Sequence, residues 1–144
     1  MKQLLNINHS NTTDIALLIA RVSLGLLMLT HGLPKMFMLF SGEPVQFPAI
    51  LGFSSEVTLS LAVFTEVFCS ILLIAGIATR MAVIPLIITM LVAIYAVHGA
   101  DPFANKEIAV LYLAGYFVLF FSGSGKYSLD YLVARSMKLK KAYA

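Results

Sequence analysis

A chain of 144 residues that is 60% hydrophobic and only 12% charged holds more apolar surface than one water-soluble core can hide. That balance excludes a soluble enzyme, the scarcity of charge excludes a disordered chain, and the single cysteine, Cys69, excludes a disulfide scaffold. The formal charge of +3 rests largely on a C-terminal basic tail, which reads as a membrane topology signal and not as a nucleic-acid contact.

In chain order the sequence predicts four membrane-spanning helices, at about residues 14–33, 56–78, 81–98 and 107–123, followed by a basic tail over 124–144. Each run is continuously apolar, whereas barrel strands would alternate in polarity. Asn11 to Asp14 offer capping oxygens before the first span, and Gly32 and Pro34 read as its end. The loop from Met36 to Ser55 carries Phe37, Phe40, Phe47, Ile50, Leu51 and Phe53, too apolar for a solvated connection. It reads as a short interfacial helix, or as a lid over the mouth of the bundle. Ser54-Ser55-Glu56 opens the second span and Gly76 with Arg80 closes it, so the second and third spans form a tight hairpin. Pro85 falls one turn into the third span, where a proline is tolerated. Asp101-Pro102 begins the last connection, and Asn105 to Glu107 precede the fourth span.

The predicted fold is therefore all-α: an integral membrane four-helix bundle of up-down topology, in one transmembrane domain. Residues 1–13 hold one cation and no long apolar run, so the first span reads as an uncleaved anchor. Seven lysines and arginines fall on the side of the termini (Lys2, Arg80, Lys126, Arg135, Lys138, Lys140, Lys141) against Lys35 and Lys106 on the other. The positive-inside rule then places both termini in the cytoplasm.

Polar side chains within the spans are the candidate functional groups, because a charge at mid-bilayer costs at least about 2.5 kcal/mol. At a rise of about 1.5 Å per residue, His31, Glu66, Tyr95, His98, Tyr112 and Tyr116 all fall in the outer half of the bilayer. Tyr95 and His98 are spaced to share a helix face, as are Tyr112 and Tyr116. Arg21, Gly25, Met28, Gly32 and Lys35 form a stripe on the first span, whose small residues admit a close neighbour. These positions predict a polar pocket in which Glu66 and His98 handle protons while His31, Tyr95, Tyr112, Tyr116, Arg21 and Lys35 bind a ligand. The plainer readings are an Arg21–Glu66 ion pair that only fixes helix register, and tyrosines of an aromatic belt. Cys69 reads as a small buried hydrophobe. The sequence has no C-x-x-C, no phosphate loop and no dinucleotide fingerprint. His31 and His98 as haem ligands, or joined by Glu66 around a metal, have no ligand motif behind them.

Four motifs in order carry a family resemblance. Arg21-Val22-Ser23-Leu24-Gly25 with His31-Gly32-Leu33-Pro34-Lys35 resembles the first-helix signature of the DoxX family. Glu66 followed by Gly76-Ile77-Ala78-Thr79-Arg80 is similar to its second-helix signature, and His98 fits the end of its third helix. Gly123 to Asp130 resembles its Gly-x-Gly-x-x-Ser-Leu-Asp ending. The resemblance covers about residues 15–131 and implies a four-helix bacterial inner-membrane protein linked to respiratory redox work, such as the small subunit of a thiosulfate:quinone oxidoreductase. It implies a quinone as ligand and a redox partner protein as electron source, with lipid contacts and a homodimer as further expectations. Two other classes remain open on the residues alone: a non-catalytic module that binds a small apolar ligand or lipid or anchors a partner, and a small-solute transporter.

Overall fold

The computed structural model describes residues 11–142, with side chains described as far as residue 137. The reading of residues 1–10, and the side chains of Lys138, Lys140 and Lys141, lie outside the described residues. Five helices follow in order: α1 (Asn11–Phe40), α2 (Ser55–Ala75), α3 (Thr79–Val97), α4 (Phe103–Ser122) and α5 (Leu129–Ala142). The first four are long and apolar enough to cross a membrane, so the chain is a four-helix membrane bundle. The start of α1, the α2–α3 hairpin and the end of α4 lie at one end, the terminal face. The loops at residues 41–54 and 98–102 lie at the other, the distal face.

Local sequence explains most boundaries. Ser54 caps α2, its hydroxyl accepting the Val57 N–H at 3.4 Å. Gly76 ends α2 at φ 69°, with Ile77 N–H bonded to Leu72 O and Gly76 N–H to Leu73 O, a Schellman turn that needs a residue free to adopt positive φ. Ala78 precedes α3 and has no side-chain oxygen to cap it. Asp130, 52 residues later, supplies one: its carboxylate accepts from Ala78 N–H at 2.9 Å and from Thr79 N–H at 3.4 Å. Ser128 in turn caps α5, accepting from Tyr131 N–H at 3.2 Å.

Three expectations are corrected. The first helix does not end at Gly32 and Pro34 but runs to Phe40. Gly32 is buried against α2, where a Cβ would meet Val67 and Glu66, so it serves helix packing and not termination. The first distal loop contains no helix; it turns at Leu51 and Gly52, both at positive φ, with Phe53 N–H bonded to Ile50 O. The tail holds a helix, α5, that the basic composition did not announce.

The core lies where α1 packs on α2 and α3 on α4. Met28, Leu73, Val83, Leu86, Tyr116 and Leu119 are almost completely buried in it. On α1 the buried positions Asp14, Leu17, Arg21, Gly25, Met28 and Gly32 repeat at intervals of three and four, the stripe expected of a helix with one face inward. Cys69 is buried, as its apolar surroundings predict.

Candidate functional site

Glu66 sits in the interior of α2 at 3% exposure, within a π-helical segment, Phe64–Cys69. Its Oε1 receives a hydrogen bond from Lys35 Nζ at 2.5 Å, and its Oε2 has no hydrogen-bond partner among the described residues. Lys35 reaches it because α1 continues past Pro34, which puts Lys35 one turn beyond Gly32 on the packed stripe. The glycine brings the two backbones close enough that Glu66 Cβ lies 2.9 Å from where a Gly32 Cβ would be. An ion pair of this kind needs its remaining lone pairs satisfied to recover the cost of removing charge from water. Half of that requirement is unmet by the protein itself.

The pair forms the polar end of a cavity of about 420 Å³ between α2 and α3 near the distal face. Its walls are largely apolar, with Leu61, Ala62 and Phe64 on one side and Pro85, Ile88 and Val92 on the other. Phe47, Ile50, Leu51 and Phe53 of the distal loop also line it. The Phe47 ring stands 5.8 Å from Lys35 Nζ, a cation–π contact that ties the loop to the ion pair. Across the cavity Thr89 donates to Thr65 Oγ1 at 2.9 Å. A second π-helical segment, Ala93–Val97 of α3, contributes Ala93 and Val97 to the same walls. Two π segments facing one cavity are informative, because such turns cost hydrogen-bond geometry and concentrate at functional sites.

The structure brings only part of the predicted constellation together. Glu66 and Lys35 line the cavity; His31, Tyr95, His98, Tyr112 and Tyr116 do not. His31, Tyr112 and Tyr116 form a separate aromatic column behind it: the His31 and Tyr112 rings meet edge to face at 6.0 Å, and Tyr112 stacks on Tyr116 at 5.9 Å. Both phenols are buried and lie within electrostatic reach of the Glu66 carboxyl. Tyr95 points away from the bundle at 76% exposure. His98 binds Asp101 instead, Nδ1 to Oδ2 at 2.7 Å, in the distal turn before α4. That hydrogen bond, with a weaker one from Asn105, holds the Asp101 carboxyl below its ordinary pKa of 3.8. Among the described residues no three histidine, cysteine, aspartate or glutamate side chains gather as metal ligands would.

The Arg21–Glu66 pairing is also corrected. Arg21 is buried at 2% exposure, yet its guanidinium turns to the terminal face, where Nη2 donates to Tyr127 O. It lies over Gly76, whose missing side chain makes the room. Fourteen residues separate Arg21 from Lys35 on one helix, roughly 21 Å, so only Lys35 stands level with Glu66.

The terminal face holds a larger cavity, about 490 Å³, but its charged groups are committed to structure. Asp14 pairs with Lys126 Nζ at 3.0 Å and accepts the Lys126 N–H, Asp130 caps α3, and Arg80 donates to Phe121 O at the end of α4. These contacts fasten the segment after α4 beneath the helix ends. The sequence motif Gly123 to Asp130 is thus a joint, and its glycines at 123 and 125, both at positive φ, shape the turn.

In comparison with known families, the family model described as DoxX aligns with residues 16–99, more than half of the chain. No curated protein and no solved structure matches.

Proposed function

This chain belongs to the DoxX family, and from that premise we propose that it is the quinone-interacting membrane subunit of a redox system. The single observation that carries the reading is a buried carboxylate oxygen, Glu66 Oε2, without a hydrogen-bond partner among the described residues, beside a lysine ammonium at the polar end of an apolar cavity. The residues fit a quinone headgroup. A cavity of about 420 Å³ is in the range of small-molecule sites, with few polar groups among many apolar ones. The ligand, when bound, supplies a two-electron, two-proton couple. Lys35 Nζ would hold the headgroup as a hydrogen-bond donor and Glu66 Oε2 as an acceptor. Glu66 would take up and return one of the couple's two protons at a time, and Lys35, partly exposed, would connect it to the distal face. Phe47 and its loop keep bulk water from the headgroup. Electrons come from a partner protein. The excess of lysine and arginine that the sequence carries on the side of the termini supports an orientation with that side in the cytoplasm of a bacterial inner membrane.

The test is titration of the detergent-purified protein with decylubiquinone, read as a rise in thermal stability. Glu66→Gln should weaken binding about tenfold, or about 1.4 kcal/mol, while Tyr95→Phe, which lies outside the cavity, should bind as wild type. No stabilisation by any quinone overturns the reading. The mostly apolar walls favour one alternative, a non-catalytic site for an acyl chain. A co-purified lipid that quinone cannot displace would establish it.

A further inference from the structure

The last helix is built differently from the other four. α5 is about 21 Å long at the usual rise, too short to cross a bilayer. Leu129, Leu132, Val133 and Met137 recur at the spacing of one helix face, and the bundle covers none of them: each is 44–56% exposed. Arg135 is exposed away from that face; by spacing Lys138 continues its side, while Lys140 comes in line with Val133 and Met137 only in the last turn, after the apolar stripe ends, with Lys141 beside it. The first turn of α5 is pinned at the level of the spanning-helix ends. The Asp130 carboxylate holds Ala78 and Thr79 N–H, Asp130 N–H donates to Gly76 O at 3.1 Å, and Ser128 is buried with its hydroxyl on Gly125 O. A bilayer whose core is spanned by α1 to α4 has its headgroup layer at that level.

We propose that α5 is an interfacial helix that lies on the membrane at the terminal face, its Leu129–Leu132–Val133–Met137 face in the acyl boundary and its cations on anionic phospholipid headgroups. An amphipathic helix with an apolar stripe and a basic polar face binds in this plane, and each cation near an anionic surface adds to its affinity. The occupant of the face is the lipid of the chain's own membrane. Charge decides this: four cations in the last ten residues repel a second copy of the same helix and attract anionic headgroups. The inference is independent of what binds in the distal cavity.

The chain has no tryptophan, so Leu132→Trp introduces a sole reporter while keeping the face apolar. The full-length variant is reconstituted in vesicles of phosphatidylcholine alone and of phosphatidylcholine mixed with phosphatidylglycerol. The expected result is blue-shifted emission, quenching by lipids brominated on the acyl chain, and about a twofold increase of that quenching with phosphatidylglycerol, reversed by salt. A second reporter, Arg135→Trp on the polar face, should be reached by aqueous iodide instead. Iodide quenching of both positions alike, in both vesicle types, overturns the proposal. Shielding of Leu132→Trp that grows with the protein-to-lipid ratio assigns the face to a second copy and overturns it as well.

Discussion

A Cβ placed on Gly32 would stand 2.8 Å from Val67 Cγ2 and 3.0 Å from the Glu66 carbonyl carbon, closer than such atoms approach one another. One of those neighbours is backbone and cannot rotate aside. Gly32→Ala should therefore push α1 from α2 and cost about 1–3 kcal/mol, the usual range for overpacking. Thermal unfolding in detergent measures it, and a wild-type midpoint would show that the helices do not need this contact. The same residue explains a misreading of the sequence. Glycine followed by proline signals a helix end, and nothing local says that the glycine faces another helix. Asp101 offers a pH test at the same scale. Its folded pKa is depressed by the His98 hydrogen bond, so the distal turn gains stability above the unfolded value of 3.8 and loses it as pH falls through the lower folded value. The turn should thus stay intact through the neutral range and loosen only in strong acid. Carbon-detected NMR titration of Asp101 should give a midpoint below 3.8 that rises toward it in His98→Ala.

Each spanning helix was legible as an element, and the limits lay in its phase and its caps. The ends of α2, α3 and α4 fall within about four residues of their sequence-based positions, because apolar runs bounded by Ser54, Gly76 and Pro102 leave little choice. Tyr95 and His98 were placed on one face by counting at α-helical pitch. The π segment Ala93–Val97 inserts extra chain into that turn, so Tyr95 faces outward while His98 turns back to Asp101. No composition signal marks such a segment. The cap of α3 was equally hidden, since its acceptor, the Asp130 carboxylate, comes from the far end of the chain. Asp130→Ala should cost about 0.5–2 kcal/mol by the loss of that cap, and Asp130→Asn less, because an amide oxygen still accepts. The cost should fall at the upper end of that range, because Asp130 also holds Ala78, a non-glycine residue at φ 45°, in place. Thermal unfolding of the two variants separates them, and equal, negligible losses would remove the cap from the account.

Across the whole molecule, the charged groups divide between two ends with different roles. At the terminal face Asp14, Arg21, Arg80, Lys126 and Asp130 are spent on joining the segment after α4 to the helix ends. At the distal face Lys35 and Glu66 border the apolar cavity, and Glu66 Oε2 has no hydrogen-bond partner among the described residues. The sequence contained all of these residues but not their partners. The sequence offers Arg21 as the partner of Glu66, whereas Lys35 takes that place because α1 continues through Pro34. Stability and ligand binding can be separated at this pair. Lys35→Met strands a buried carboxylate and should cost about 3 kcal/mol, the low end for a broken buried pair because Lys35 is only partly buried. Replacing both residues, Lys35→Met with Glu66→Leu, removes the stranded charge along with its partner. Hydrophobic replacement of a whole buried pair is often neutral, so the double variant should return to within about 1 kcal/mol of wild type. It should still fail to bind decylubiquinone, because neither hydrogen-bonding group remains. Thermal unfolding with and without the quinone reads both effects on one sample. A double variant that regains stability and also binds quinone would mean that the headgroup is held by other residues, and the pair would then be a structural device alone.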